Sequence, residues 1–267
     1  AVADSKKLHG KSGSIAGIHL LERAALAFLN QLGDLPITIT ALLDQLCPEA
    51  SDHCPHYPWY ADRNISLPVD SDTNDLAVQT SSLKRDLDKT GIRFRGVWSE
   101  VLLEGQFNDL VARTHNKAVI LFSKTARLIQ RVADDVGPRP LRVWIDRQGG
   151  RTGYRQPLMN AFEDARLQIV EETSARSSYR LDRPRAPWMV RFVQEGETHH
   201  LPIALASIFS KYMRELMMMC FNRYWAKMVS DLRPTAGYYE DGQRFLLEIS
   251  EAMSQAGIPR DLLVRSL

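Results

Sequence analysis

The sequence predicts an α/β protein, and three observations carry that expectation. LRVWID (141–146) is an apolar, β-branched run that stops at an acid and runs into the turn-forming QGG, as a strand entering a loop does. LPIALASIFSKYMRELMMMCFNRYWAKMV (201–229) keeps its apolar residues at helical spacing over many turns and reads as one long helix. Around these two, strand-like and helix-like segments alternate, which calls for helices packed on a central sheet.

Taken in order, Ile18, Leu21, Ala25 and Leu29 recur at helical spacing within residues 14–32, and Gly33 stops that helix. ALLDQLCPEA (41–50) predicts a second short helix. DHCPHYPWYADR (52–63) predicts a loop rich in proline, histidine and aromatics, and NISLPVD (64–70) a short extended piece. Residues 75–90 read as an amphipathic helix ended by Gly91. GIRFRGVWSEVLLEGQF (91–107) alternates enough for one strand or two. Residues 108–136 turn helical with a break near His115 and Asn116, closed by Gly137 and Pro138. After LRVWID follow a helix around QPLMNAFEDA (156–165), a strand LQIVEE (167–172) and a hairpin over residues 177–197. Beyond the long helix, RFLLEISEAM (244–253) and PRDLLVRS (259–266) predict two more helices.

The 267 residues can bury a sizeable core. No apolar run approaches the roughly 18–20 residues that span a bilayer, and the start lacks the charged and apolar regions of a signal peptide. Cys47, Cys54 and Cys220 are too few for a disulfide framework, so a reducing, cytoplasmic setting is expected; no membrane partner and a monomer are expected as well. Net charge is +2, but residues 139–191 hold eleven arginines against six acids and no lysine, a local excess of five positive charges. Arginine interleaved with Tyr154, Tyr179 and Trp188 suits phosphate contact and stacking.

Three groups of residues could carry chemistry. Asp146 ends a strand before a glycine turn, where α/β sheets place their sites. Ser207, Lys211 and Glu215, with Arg214 beside them, form a polar stripe at i, i+4 and i+8 on an apolar helix, a pattern that favours a cleft over bulk solvent. ADSKKL (3–8) gathers Asp4, Ser5, Lys6 and Lys7 near the N-terminus, as a surface cluster or as part of a phosphate-handling site. Cys47, His53, Cys54 and His56 miss the spacing of structural zinc sites, and the His199 and His200 pair reads as a turn. Met217, Met218 and Met219 read as core packing. The chain has no P-loop, no dinucleotide-binding glycine fingerprint and no nucleophile elbow.

In the same order, ADSKKL, VWID (143–146) and LPIALASIFSKYMRELMM (201–218) resemble the three marker segments of the ribonuclease HII (type 2 ribonuclease H) family. The resemblance implies a ribonuclease H-like fold: a central mixed sheet flanked by helices, here with a helical insertion at 34–90 and a C-terminal helical part at 231–267. It implies a metal-dependent endoribonuclease that cleaves RNA in RNA–DNA hybrids or at ribonucleotides embedded in DNA, with Mg²⁺ or Mn²⁺ held by about four carboxylates. Asp146 and Glu215 would be metal ligands and catalytic residues; Ser5, Lys6, Lys7, Lys211 and Arg214 would meet the substrate. The chain departs from the family at Glu215, where the family has Asp, and at Ser210, where it has Ala. RPTAGYYEDG (233–242) faintly echoes the family's C-terminal block and makes Tyr238 and Tyr239 candidates for sugar stacking. The family's first strand, with its adjacent Asp and Glu, would precede ADSKKL. Its absence implies an N-terminally truncated domain over residues 1–267 with two of the expected carboxylates and weak or no cleavage of its own. A non-catalytic nucleic-acid-binding module and a ribonuclease H-like DNA nuclease are the alternatives.

Overall fold

The computed structural model describes residues 18–266. These form an α/β structure with a four-stranded mixed sheet. The chain divides into two compact units, one of Ala1–Asn108 with Ser207–Leu267, the other of Asp109–Ala206.

The first unit is helical. Helix α1 (Ile18–Leu29) buries Leu21, Ala25, Leu26 and Leu29. Glu22 is fully buried on the same helix. Its carboxylate accepts hydrogen bonds from the backbone N–H groups of Val69 (2.8 Å), Asp70 (3.0 Å) and Ser71 (2.8 Å), and from the Tyr212 hydroxyl (3.0 Å). The second short helix of the sequence reading is two, α2 (Ile39–Leu46) and α3 (Pro48–His53), separated at Cys47.

The expected loop at 52–63 instead turns helically, ending in α4 (Pro58–Ala61), with Cys54, Tyr57, Trp59 and Tyr60 buried. Pro48, Pro55 and Pro58 each open a helical turn, where a missing N–H costs nothing. Helix α5 (Thr73–Thr90) is capped by the Asp72 carboxylate and closed by Gly91 in the left-handed region, φ 66°.

Residues 91–103 are not a strand. Besides helix-end bonds at its two ends (Gly91 and Ile92 N–H to the Asp88 and Leu87 carbonyls, Phe107 N–H to the Leu103 carbonyl), the segment bonds through Ser99 N–H to the Leu46 carbonyl (2.9 Å) and is held by side chains such as Phe94 against Phe28 (5.1 Å between centroids). Alternation favours an extended chain, but a strand also needs a partner edge. Helix α6 (Glu104–Thr114) follows. Later in the chain α9 (Leu201–Ala226), which belongs to this unit from Ser207 on, α10 (Tyr239–Glu248), α11 (Ser250–Gln255) and α12 (Arg260–Leu263) follow. Trp59, Phe221, Trp225 and Phe245 form an aromatic cluster in this core.

The second unit holds the sheet. The helical break falls where expected: Asn116 caps α7 (Lys117–Val136), accepting from Ala118 N–H (3.0 Å) and Val119 N–H (3.2 Å), and Gly137 ends it. Strand β1 (Leu141–Asp146), helix α8 (Arg155–Ala161) and strands β2 (Arg166–Glu172), β3 (Arg176–Asp182) and β4 (Trp188–Val193) follow. The order across the sheet is β1-β4-β3-β2. β2, β3 and β4 form an antiparallel meander, and β1 runs parallel to β4.

On one face, Leu141, Val143 and Ile145 of β1 align with Trp188, Val190 and Phe192 of β4, and Tyr179 and Leu181 of β3 continue the row. Against them pack Phe122, Ala126, Ile129 and Ala133 of α7 and Leu158 of α8. Full burial of side chains such as Phe192 and Val190 contributes about 1.5–3 kcal/mol each. β1 is an edge strand and only half-buried, not the buried strand its apolar sequence suggests, because among the described strands it has one neighbour.

Candidate functional site

Asp146 stands exposed at the carboxyl end of β1, level with Val193 of the parallel strand β4. Its Oδ1 accepts from the Gly196 N–H (3.1 Å), and its other oxygen has no hydrogen-bond partner among the described residues. Gly196 is there for space. A Cβ at this position would lie 2.7 Å from the Val193 side chain, closer still to Ile203, and 3.4 Å from Asp146 Oδ1. The loop after Asp146 is pinned as well. The Tyr154 hydroxyl accepts from Gln148 N–H (3.0 Å), the Tyr179 hydroxyl accepts from Tyr154 N–H (2.7 Å) and donates to Glu172, and the Tyr154 ring stacks on Phe192 at 3.5 Å. The Tyr179 hydroxyl is pushed up to about 12 by burial and by the Glu172 carboxylate. One carboxylate oxygen is thus fixed and the other left open on a rigid support.

In the first unit, Ser207, Lys211 and Glu215 lie half-buried along α9. Arg214 ties this stripe to the C-terminal loop. It donates to Glu215 Oε1 (2.7 Å) and to the Ala236 carbonyl, and its guanidinium lies 5.0 Å from the Tyr238 ring centroid. Asp241 fastens the loop by accepting from the Thr235 hydroxyl (2.5 Å), Ala236 N–H (3.0 Å) and Arg244 Nη2 (2.7 Å). The Thr235 hydroxyl, with Arg244, holds the Asp241 carboxyl well below the usual carboxylate range. Tyr238 and Tyr239 are exposed.

Asp146 therefore belongs to the second unit and Glu215 to the first, while Ser5, Lys6 and Lys7, with Asp4, lie outside the described residues. Among the described residues no group of three or more His, Cys, Asp or Glu is arranged to hold a metal ion. These residues do not by themselves fit a two-ion centre, which needs about four converging carboxylates. Cys47, Cys54 and Cys220 are buried free thiols, pushed up by burial to about 12, 11 and 11. Among the described residues no helix is long and apolar enough to cross a membrane.

Three residues on the Asp146 face of the sheet come together in a way their sequence positions do not announce. Arg191 of β4 faces Trp144 of β1, its guanidinium 4.7 Å from the ring centroid, and His200 stacks on the same ring at 3.9 Å. The alternation within each strand was visible, but only the pairing register puts Trp144 beside Arg191. No protein-family model, curated protein or solved structure matches the chain.

Proposed function

We propose that the protein binds nucleic acid that contains ribose, as a divergent relative of type 2 ribonuclease H whose chemistry is metal-dependent cleavage at ribonucleotides. The single observation that carries this reading is Asp146. The acid of the VWID segment ends a strand with a parallel partner, is oriented by one backbone N–H and keeps its second oxygen open. That is the disposition a ligand for a hard cation requires. The polar stripe of α9, bound through Arg214 to the Tyr238 loop, supports the same reading because it joins the two segments that resemble the family's helix and C-terminal block. β1 also keeps its outer edge open among the described strands, where a ribonuclease H-like sheet could be extended.

The described residues carry no complete metal set, so their part in the reaction is binding and orientation. Asp146 would offer its open carboxylate oxygen on the second unit, and on the first Lys211 and Arg214 would neutralise backbone phosphates. A non-catalytic nucleic-acid-binding module is the second reading, favoured by the Arg214–Glu215 ion pair, which engages the very carboxylate the metal would need.

The test is a binding and cleavage series with the full chain on an RNA–DNA hybrid, a DNA duplex with one embedded ribonucleotide, and an all-DNA duplex, with Mg²⁺ or Mn²⁺. Preferential binding of the ribose-containing duplexes, weakening steeply with salt, is the expected result. Any metal-dependent cut should map to ribonucleotides and vanish in Asp146→Asn. Binding with no cutting favours the second reading, cutting of all-DNA duplex points to a DNA nuclease, and salt-insensitive or absent binding overturns the proposal.

A further inference from the structure

The sheet of the second unit has two faces, and only one is the apolar core. The register fixes what the other presents. Across β1, β4 and β3, Arg142 aligns with Met189 and Arg180, Trp144 with Arg191 and Ser178, and Asp146 with Val193 and Arg176. Arg191 is therefore central, with Arg142, Arg180 and Arg176 at three of its diagonals and Asp146 at the fourth. Such diagonal neighbours stand roughly 7–8 Å apart, within reach of long side chains.

These arginines are held differently. Arg176 pairs with Glu171 (2.6 Å) and Arg180 with Asp182 (2.7 Å). Among the described residues, Arg142 and Arg191 have no acidic partner within ion-pair distance, and Arg142 is exposed on its edge strand. Arg191 is pre-organised instead by lying over Trp144, whose ring is stacked in turn on His200. A guanidinium fixed against an aromatic ring keeps its N–H donors free at its edge and loses little entropy on binding a phosphate. Crowding like charges on one face costs stability unless something negative arrives. Arg191 feels that cost: partial burial, then Arg142 and Arg176, weaken its hold on its proton relative to an ordinary arginine.

We propose that this face, centred on Arg191 and Arg142 and ending at Asp146, is a binding surface for the phosphodiester backbone of nucleic acid. Lysine would supply charge alone. Arginine stacked on tryptophan supplies a planar fork suited to phosphate oxygens. The face contacts the backbone rather than the bases, so it adds affinity without sequence preference. The inference rests on the nucleic-acid reading above and names the surface that reading leaves open.

Fluorescence anisotropy of a short labelled RNA–DNA hybrid, titrated with the full chain at several salt concentrations, tests it. The double variant Arg142→Ala/Arg191→Ala is compared with a charge-matched control, Arg155→Ala/Arg185→Ala, whose residues are exposed and off this face. The face variant should bind about ten-fold or more weakly. Its slope of log affinity against log salt should fall by about 2 relative to wild type, while the control changes both less. Circular dichroism checks folding. Should the double variant misfold, Arg142→Gln alone, on the exposed edge strand, should still lower the slope by about 1. If wild type binds and the face variants match the control, this inference is overturned and the nucleic-acid reading stands. If wild type shows no salt-sensitive binding, both fall.

Discussion

Glu22 receives four hydrogen bonds and gives none, so its buried site is built for a carboxylate and for nothing else of that size. Its backbone partners lie 47 to 49 residues away and Tyr212 lies 190 residues away, and one side chain thereby fastens α1, the 69–71 turn and α9. Glu22→Gln would turn an NH₂ group toward donors and strand at least one buried N–H. A loss of about 2–5 kcal/mol in urea unfolding is expected; a loss under about 1 kcal/mol would mean the turn re-forms without the carboxylate. At Gly196 the constraint is steric. Gly196→Ala puts a methyl into Val193 and Ile203 and should cost about 1–3 kcal/mol in the same assay. It should also displace the N–H that orients Asp146, visible as a changed Asp146 carboxyl signal by NMR.

Elements whose ends are set by neighbours in sequence were readable, and those set by distant partners were not. Gly91, Asn116 and Gly137 act on groups within a few residues, so the end of α5, the break before α7 and the end of α7 were legible in the sequence. The same holds for the turn after Asp146, where Gly149 takes the left-handed region. The failure at residues 91–103 is of the other kind, because a strand is a relation between two segments and alternation reports only one. So too at 52–63, where proline and histidine look loop-like until the buried Trp59 and Tyr60 are seen packing in the core. The Arg191–Trp144 contact depended on a register between strands more than 40 residues apart. If the α7 cap is as local as this, its worth is that of a cap in a peptide. Asn116→Ala should lower stability by about 1 kcal/mol and Asn116→Asp by much less, and equal losses from both would show that Asn116 acts through something other than capping.

For the molecule as a whole, two carboxyls in the first unit pull its stability in opposite directions with pH. Glu104 is half-buried, its Oε2 buried without a hydrogen-bond partner, and this desolvation raises its pKa from 4.5 against the opposing help of its own backbone N–H, Arg265 and Tyr60. The folded state therefore holds this proton more tightly than the unfolded chain. Glu104 contributes fully below pH 4.5, and that contribution is lost as pH rises through the folded pKa. Asp241 has the reverse sign. Its pKa is depressed from 3.8, so its contribution is present above that value and lost as pH falls toward the folded one. Glu104→Gln keeps the shape of the protonated carboxyl and removes the charge, so the variant should gain on wild type as pH rises above 4.5 and lose that gain below it. Asp241→Asn should behave oppositely, weaker than wild type at neutral pH and converging with it in acid. Urea midpoints measured from pH 8 down into strong acid, well below pH 3, decide the matter, since the Asp241 contribution starts to fall only below 3.8 and goes on falling toward its depressed folded pKa. Parallel profiles for Glu104→Gln and wild type would mean that Glu104 ionises in the folded state as freely as in the unfolded chain, and that water reaches Oε2.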